Sequence, residues 1–273
     1  MTPPTVFHMT HWKAGSQWVA EILKYSAPER FIPYQEHTKP GGLQLTPVIS
    51  GKVYGTVYMP QQLFDVIIQA HLLPVADDTF NRRTLINWWN FGVSKKRYLP
   101  FIVIRDLRDT LISLYFSVKH SHVLSDEKLI EIRETLTAKE LEASLLHIVS
   151  NPTEGLGLTL ATSAQIQHSW LNQPNVLYLH YEDILGHEHE FFERLIDYCE
   201  ISVSRQQLHA IVEHNIFEKV TGRQRGQEDI HAHLRRGIAG DWQNYFSEPL
   251  KQAFKQQYSD VLIKTGYEKD LNW

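Results

Sequence analysis

One cysteine stands in 273 residues, and that scarcity closes off several chemistries at once. Cys199 has no intrachain partner, so a disulfide framework and every zinc module built on several thiolates are excluded. A reducing compartment is the simplest expectation, and the chain reads as cytoplasmic. Its neighbours Phe191, Phe192, Leu195 and Ile196 mark Cys199 as a packing residue. Long apolar runs are missing too: no window offers the roughly 18 to 20 uninterrupted apolar residues that a bilayer-spanning helix needs. The Met-Thr-Pro-Pro start lacks the basic and apolar regions of a signal peptide. There is no excess of basic charge either. With 27 Lys and Arg against 31 Asp and Glu, the chain cannot neutralise a run of phosphates as a nonspecific nucleic-acid binder must. Neither a nucleic-acid partner nor a membrane is expected, any anion site must be local, and nothing in the pattern fixes an oligomeric state.

What is present points to a globular α/β protein. Apolar residues make up 42% of the chain, and seven Trp, twelve Tyr and twelve Phe supply bulk for a sizeable core. Short β-rich runs (Thr5–His11, Lys52–Tyr58, Phe101–Arg105, Asn175–Tyr181) alternate with helical patterns. The helices are expected over Ser16–Tyr25, Gln61–Leu72, Arg108–Lys119, Asp126–Ile148, Leu158–Leu171, Asp183–Glu200, Arg205–His214 and Pro249–Thr265. This alternation predicts a single domain over residues 1–273, with a mostly parallel central sheet flanked by helices and a ligand site beyond the carboxyl ends of the strands. Thr221–Gly240, with four Gly and four Arg, reads as a long functional loop.

Three segments carry the chemistry. The first, Thr10-His11-Trp12-Lys13-Ala14-Gly15-Ser16-Gln17-Trp18, lies where a buried strand turns into a helix. Free backbone N–H groups and the positive end of a helix converge at such a turn, Gly15 admits close approach, Lys13 adds a full charge, and Ser16 is expected to cap the helix and donate to a phosphate. It is not a P-loop of the ordinary NTPase type, because Lys13 precedes the glycine and no glycine lies upstream. The second segment is Arg105-Asp106-Leu107-Arg108-Asp109 with Ser113, a strand end running into a helix, from which Arg105 and Ser113 can reach one phosphate. The third, Leu234 to Trp242, holds a glycine-flanked arginine pair suited to closing over a phosphate.

Taken together and in this order, the segments resemble the sulfotransferases that use 3′-phosphoadenosine-5′-phosphosulfate (PAPS). Lys13-Ala14-Gly15-Ser16-Gln17-Trp18 is similar to that family's 5′-phosphosulfate loop, and Arg105 with Ser113 is similar to its 3′-phosphate element. Arg235-Arg236-Gly237 followed by Gly240-Asp241-Trp242 resembles its C-terminal segment, and Tyr178–Asp183 its Tyr-Leu-x-Tyr-Glu-Asp strand end. The resemblance implies transfer of a sulfuryl group from PAPS to a hydroxyl or amine of a small-molecule acceptor by in-line displacement, leaving 3′,5′-adenosine bisphosphate and requiring no metal. Lys13, Ala14, Gly15, Ser16 and Gln17 would hold the 5′-phosphosulfate, and Trp18 and Tyr181 would flank the adenine, with Phe217 near the base. Arg105, Ser113, Arg235, Arg236 and Gly237 would hold the 3′-phosphate. Lys13 would neutralise the leaving oxygen, restrained by Ser113 until the acceptor arrives.

The chain departs from the family at the catalytic base. The cytosolic branch places a His in a Lys-Thr-His-x-Pro segment; here Thr56-Val57-Tyr58-Met59-Pro60 puts Tyr58 in that place. Glu36, 23 residues after Lys13, ranks first as a substitute, then Tyr58, His122 and His71. The His-x-His pairs at His120/His122, His187/His189 and His231/His233 read as ordinary polar residues. Residues Ile32–Pro47, Phe80–Lys96 and His120–Asp126 are expected to wall the acceptor pocket, with Trp88, Trp89, Phe91 and Tyr115 favouring an organic molecule. Glu36, Glu140 and Asp126 equally suit a cationic or polar one, so phenol, alcohol, amine and sugar all stay open. Two rival readings remain: a nucleotide kinase or NTPase, which would bind ATP with Mg²⁺, and a nucleotide-binding protein without turnover.

Overall fold

A computed structural model describes residues 2–34, 48–72, 97–124 and 127–273, with side chains 69–72 excepted. Glu36, the His71 side chain, Asp126, Trp88, Trp89 and Phe91 therefore lie outside the described residues, with most of the expected acceptor walls. Strands β1 (Thr5–Thr10), β2 (Phe31–Ile32), β3 (Val53–Val57), β4 (Tyr98–Ile104) and β5 (Leu177–His180) form one sheet in the order β2-β3-β1-β4-β5. Every pairing is parallel. The central strand is buried on both faces along its whole length, as a parallel strand covered by helices must be. Even His8 is accommodated there: its Nδ1 donates to the Gly55 carbonyl at 2.7 Å and its ring stacks on Phe101. Burial lowers the pKa of His8 to about 4, so it is carried neutral.

Ten α-helices are described: α1 (Ser16–Ser26), α2 (Gln61–Leu72), α3 (Leu107–Phe116), α4 (Glu127–Thr137), α5 (Leu141–Ser150), α6 (Gly155–Trp170), α7 (Glu188–Tyr198), α8 (Arg205–His214), α9 (Phe217–Thr221) and α10 (Glu248–Lys264). On one side of the sheet Val19, Ile22 and Leu23 of α1 pack with Phe192, Leu195 and Ile196 of α7 and Leu208 and Val212 of α8. These positions recur at three- and four-residue spacing, which gives each helix one apolar stripe. Cys199 belongs to this core, fully buried. On the other side Phe7, Met9, Ile102 and Ile104 meet Phe64 of α2 and Ile166 and Trp170 of α6. A further core joins α3, α5, α6 and α10 through Leu111, Leu145, Leu160 and Phe254. No helix among the described residues is long and apolar enough to cross a membrane.

The local reading needs correction at several joints. The helix expected over Asp126–Ile148 is two helices, parted at Ala138-Lys139-Glu140. The one expected over Asp183–Glu200 is a 3-10 turn, Tyr181–Ile184, followed by α7, with Gly186 in the left-handed region between them. The stretch expected over Arg108–Lys119 ends as α3 and continues in a π turn, Ser117–Ser121. Strand β4 starts three residues early, at Tyr98, and β2 and α9 were not anticipated.

The order of strands positions the site. From β1 the chain crosses to the edge strand β2 and returns inward as β3, whereas β4 and β5 lie on the opposite side of β1. The connections thus diverge between β1 and β4, and a crevice opens beyond their carboxyl ends. Both β1 and β4 deliver a cation there: Lys13 follows one and Arg105 the other.

Candidate active site

Arg105 draws the three sequence segments together. Its Nη1 donates to the Lys13 carbonyl and its Nη2 to the Ile238 carbonyl, each at 3.1 Å, while the guanidinium lies 4.7 Å from the centre of the Tyr181 ring. Asp109 stands 3.6 Å from Nη2. The Asp109 carboxylate also accepts from the backbone N–H of Gly240 (2.7 Å) and of Trp242 (2.9 Å), so it pins the third segment onto α3. Behind this, Glu182 accepts from the Asp106 N–H at 3.1 Å and from the Tyr267 hydroxyl at 2.7 Å. Arg108, by contrast, turns away: it pairs with Asp106 and Glu268 and stacks between Trp242 and Trp273.

The local field is cationic in a chain that is anionic overall. Among the described residues no carboxylate pairs with Lys13. Burial, followed by the like charges of Arg105 and Arg235, lowers the pKa of Lys13 to about 8. Arg105 keeps one donor, Nε, buried without a partner. An anion carrying several acceptor oxygens would relieve both conditions at once, so the residues present fit a phosphorylated ligand. Among the described residues no group of acidic, His or Cys side chains is arranged to hold a metal ion.

Backbone at the site is shaped by two glycines. Gly15 and Gly237 have φ of 76° and 65°, in the left-handed region that favours glycine. Each lies under an aromatic ring, Gly15 under Tyr181 and Gly237 under Phe217. Tyr181 and Phe217 therefore sit where a base could stack, and Trp18 meets Tyr181 edge to face at 6.5 Å with its Nε1 buried and unpartnered. Gln17 is exposed and Ala14 fully buried. Ser113 is the one residue between Leu107 and Tyr115 that is not buried, a polar window in a helix otherwise packed on all sides.

Other expected roles change. Ser16 does not cap α1: Gly15 occupies the cap position, with no side-chain bond, and the Ser16 hydroxyl instead meets the Tyr58 hydroxyl at 2.9 Å. Tyr58 stacks on Trp12 at 4.9 Å and is met edge-on by Tyr34. Burial pushes its phenol up to about 12, which makes it a poor proton acceptor. Arg235 and Arg236 share the carboxylate of Asp241, and Arg235 also pairs with Glu228. The pair is held in place by acids rather than left bare.

The long loop is knitted internally. Gly226 N–H donates to the Arg236 carbonyl at 2.8 Å, and Arg223 donates to the carbonyls of Gln227, Leu234 and Arg235. Folded this way, the loop sets His231 against His120, ring centres 5.5 Å apart. His233 comes under the field of Lys13 and His122; partial burial first and these two neighbours next lower its pKa to about 4. Two of the three His-x-His pairs thus face each other at the site, a convergence no local pattern signals. Asp109 and Asp241 lie within the quoted segments without a role of their own; only their partners reveal what they hold.

Comparison with known proteins agrees with this geometry. Residues 93–266 match the family model described as the sulfotransferase domain. Sulfotransferase 1E1 of Mus musculus is 27% identical over 107 residues, covering 34% of this chain and 36% of that protein. Its Homo sapiens counterpart is 26% identical over 99 residues, 33% of this chain and 34% of that protein. The matched stretches thus span about a third of the length of these relatives. Among solved structures, mouse sulfotransferase SULT7A1 complexed with PAP superposes with a TM-score of 0.63 at 15% identity, covering 98% of this chain and 88% of that one. Retinol dehydratase in a complex with retinol and PAP gives 0.50 at 15% identity, over 96% and 82%. Identities this low speak for the fold alone; the family model, which spans more than half of the sequence, establishes that the chain belongs to the sulfotransferase domain family.

Proposed function

We propose that the whole chain, residues 1–273, acts as one enzyme domain that transfers a sulfuryl group from PAPS to a hydroxyl or amine of a small-molecule acceptor. One observation carries the reading: the guanidinium of Arg105 bonds Lys13 and Ile238 and faces Tyr181, so three distant segments meet at one cationic crevice. Such a crevice suits a nucleotide phosphorylated at two ends, with Lys13 at the 5′ side and Arg105, Ser113 and the Arg235-Arg236-Gly237 segment at the 3′ side. The neighbours named above were solved with PAP, which supports the same ligand here.

PAPS supplies the sulfuryl group. Lys13, protonated at neutral pH, offers its ammonium hydrogens to the oxygen on which charge develops. Trp12, Tyr58 and Tyr34 form an aromatic wall on the flank of Ser16, suited to an organic acceptor. The acceptor's proton goes to an imidazole: His233, kept neutral by partial burial and by Lys13, with His122 next to it. Bound anionic co-substrate, by offsetting the Lys13 charge, would raise the basicity of His233 toward the working range. Glu36 stays a candidate for that role from its spacing alone. A cytoplasmic setting, proposed from the single buried cysteine, is checked by fractionation.

The test is release of 3′,5′-adenosine bisphosphate from radiolabelled PAPS across a panel of acceptors. Release that depends on an acceptor and vanishes in Lys13→Ala is the expected result. Stabilisation by ATP with Mg²⁺ and none by 3′,5′-adenosine bisphosphate would favour a kinase, and binding without turnover a passive nucleotide binder.

A further inference from the structure

His11 directly follows the central strand, is fully buried, and has no part in the chemistry proposed above. Its Nδ1 lies 3.0 Å from the Trp12 carbonyl. Its Nε2 lies 3.0 Å from the backbone nitrogen of Arg105 and 2.8 Å from the side-chain nitrogen of Gln167. Backbone and amide nitrogens are donors, so Nε2 is the acceptor and the ring hydrogen sits on Nδ1, donating to Trp12. Gln167, reaching in from α6, gives its second hydrogen to the Arg105 carbonyl at 2.7 Å. Both backbone polar groups of Arg105 are thereby fixed, one by His11 and one by Gln167. The neutral tautomer is secure, because burial lowers the pKa of His11 to about 3.

The partners of this imidazole are the loop that carries Lys13, the strand end that carries Arg105, and one glutamine behind them. From the geometry we infer that His11 is a positioning residue that sets the separation between Lys13 and Arg105, and with it the preference for a nucleotide phosphorylated at both ends over one phosphorylated at the 5′ end alone. The inference rests on the functional reading above. A rotation of the Arg105 backbone would carry its guanidinium away from the Lys13 and Ile238 carbonyls, whereas a ligand held mainly at the Lys13 loop would feel little.

The experiment is calorimetric titration of the full chain with 3′,5′-adenosine bisphosphate and with 5′-AMP. Wild type is expected to bind the bisphosphate the more tightly. His11→Leu leaves the Arg105 N–H and the Gln167 amide without an acceptor and is expected to shrink that ratio about tenfold or more, with 5′-AMP affinity nearly unchanged. His11→Gln, whose side-chain oxygen can accept in place of Nε2, is expected to restore most of the ratio. Gln167→Met, which keeps His11 in place and removes the second tie, serves if His11→Leu fails to fold and is expected to shrink the ratio less. A ratio that survives in His11→Leu (or in Gln167→Met, should His11→Leu not fold), or two affinities that fall in parallel, overturns the inference and leaves the sulfotransferase reading standing. A wild-type protein with no preference for the bisphosphate overturns both.

Discussion

Gly15 lies directly beneath the ring of Tyr181: a Cβ built on the glycine would stand 2.7 Å from two ring carbons, and its φ is 76°. Two penalties coincide there, a left-handed backbone and an aromatic roof. Gly15→Ala is expected to cost about 1–3 kcal/mol of stability and to abolish measurable binding of 3′,5′-adenosine bisphosphate, read by urea unfolding and calorimetry. Adding Tyr181→Leu should recover part of the stability, because the clash is removed and the backbone strain remains.

Asp109 anchors the C-terminal segment by two backbone donors and is almost wholly buried. Asp109→Ala leaves both N–H groups without their acceptor and takes the paired carboxylate from Arg105, a loss of about 3 kcal/mol. Proteolysis should then cut within residues 221–240 much faster than in wild type. Equal cutting rates would show that the segment is held by other means.

Lys13 sets a pH limit on ligand binding. In the unbound protein its pKa is lowered to about 8, below the unfolded value, so the ammonium loses its proton early as pH rises. Binding of an anion restores that proton. Affinity for 3′,5′-adenosine bisphosphate should be flat between about pH 7 and 8, above the second ionisation of the phosphates at about 6, and then fall by up to about tenfold per unit, with proton uptake detectable in buffers of differing ionisation enthalpy.

His8 and His11 are both buried neutral, with pKa values lowered to about 4 and about 3. Below the unfolded value of 6.5 the unfolded chain binds protons that the native one refuses. Stability therefore falls with acid between about pH 6.5 and 4, each residue contributing up to about 1.4 kcal/mol per unit. Urea midpoints across this range, compared with His8→Phe, isolate one share of the slope.

Tyr58 and His233 separate in turnover. Tyr58→Phe removes the bond to Ser16 yet keeps the stack on Trp12, so activity should stay within about tenfold of wild type. Removal of a general base costs about 10²–10⁴-fold. His233→Ala is expected in that range with nucleotide affinity retained; an unchanged turnover would move the role to His122 or Glu36.

The sequence announced the strand–loop–helix at Lys13 because three signals agree there: a β-rich run, a glycine at the turn and a helical stripe beginning at Val19. Strand β2 was invisible, since two residues, Phe31 and Ile32, carry no periodicity. The break between α4 and α5 falls in Ala138-Lys139-Glu140, all good helix formers, so the chain turns there because of packing, not propensity. At the site the cations were legible and their holders were not. Gln167 meets His11 across 156 residues and Gly240 meets Asp109 across 131. Contacts of that range leave no local mark, and the same holds for the facing of His120 with His231.

The two outermost strands are also the shortest: β2 offers two residues and β5 four, against six and seven in β1 and β4. Backbone hydrogen-bonding capacity along the sheet is thus spent inward, and among the described residues each rim is too brief to template sideways recruitment of a second extended chain. The oil-rich middle strands, which alone would be sticky, lie inside these stubby flanking neighbours.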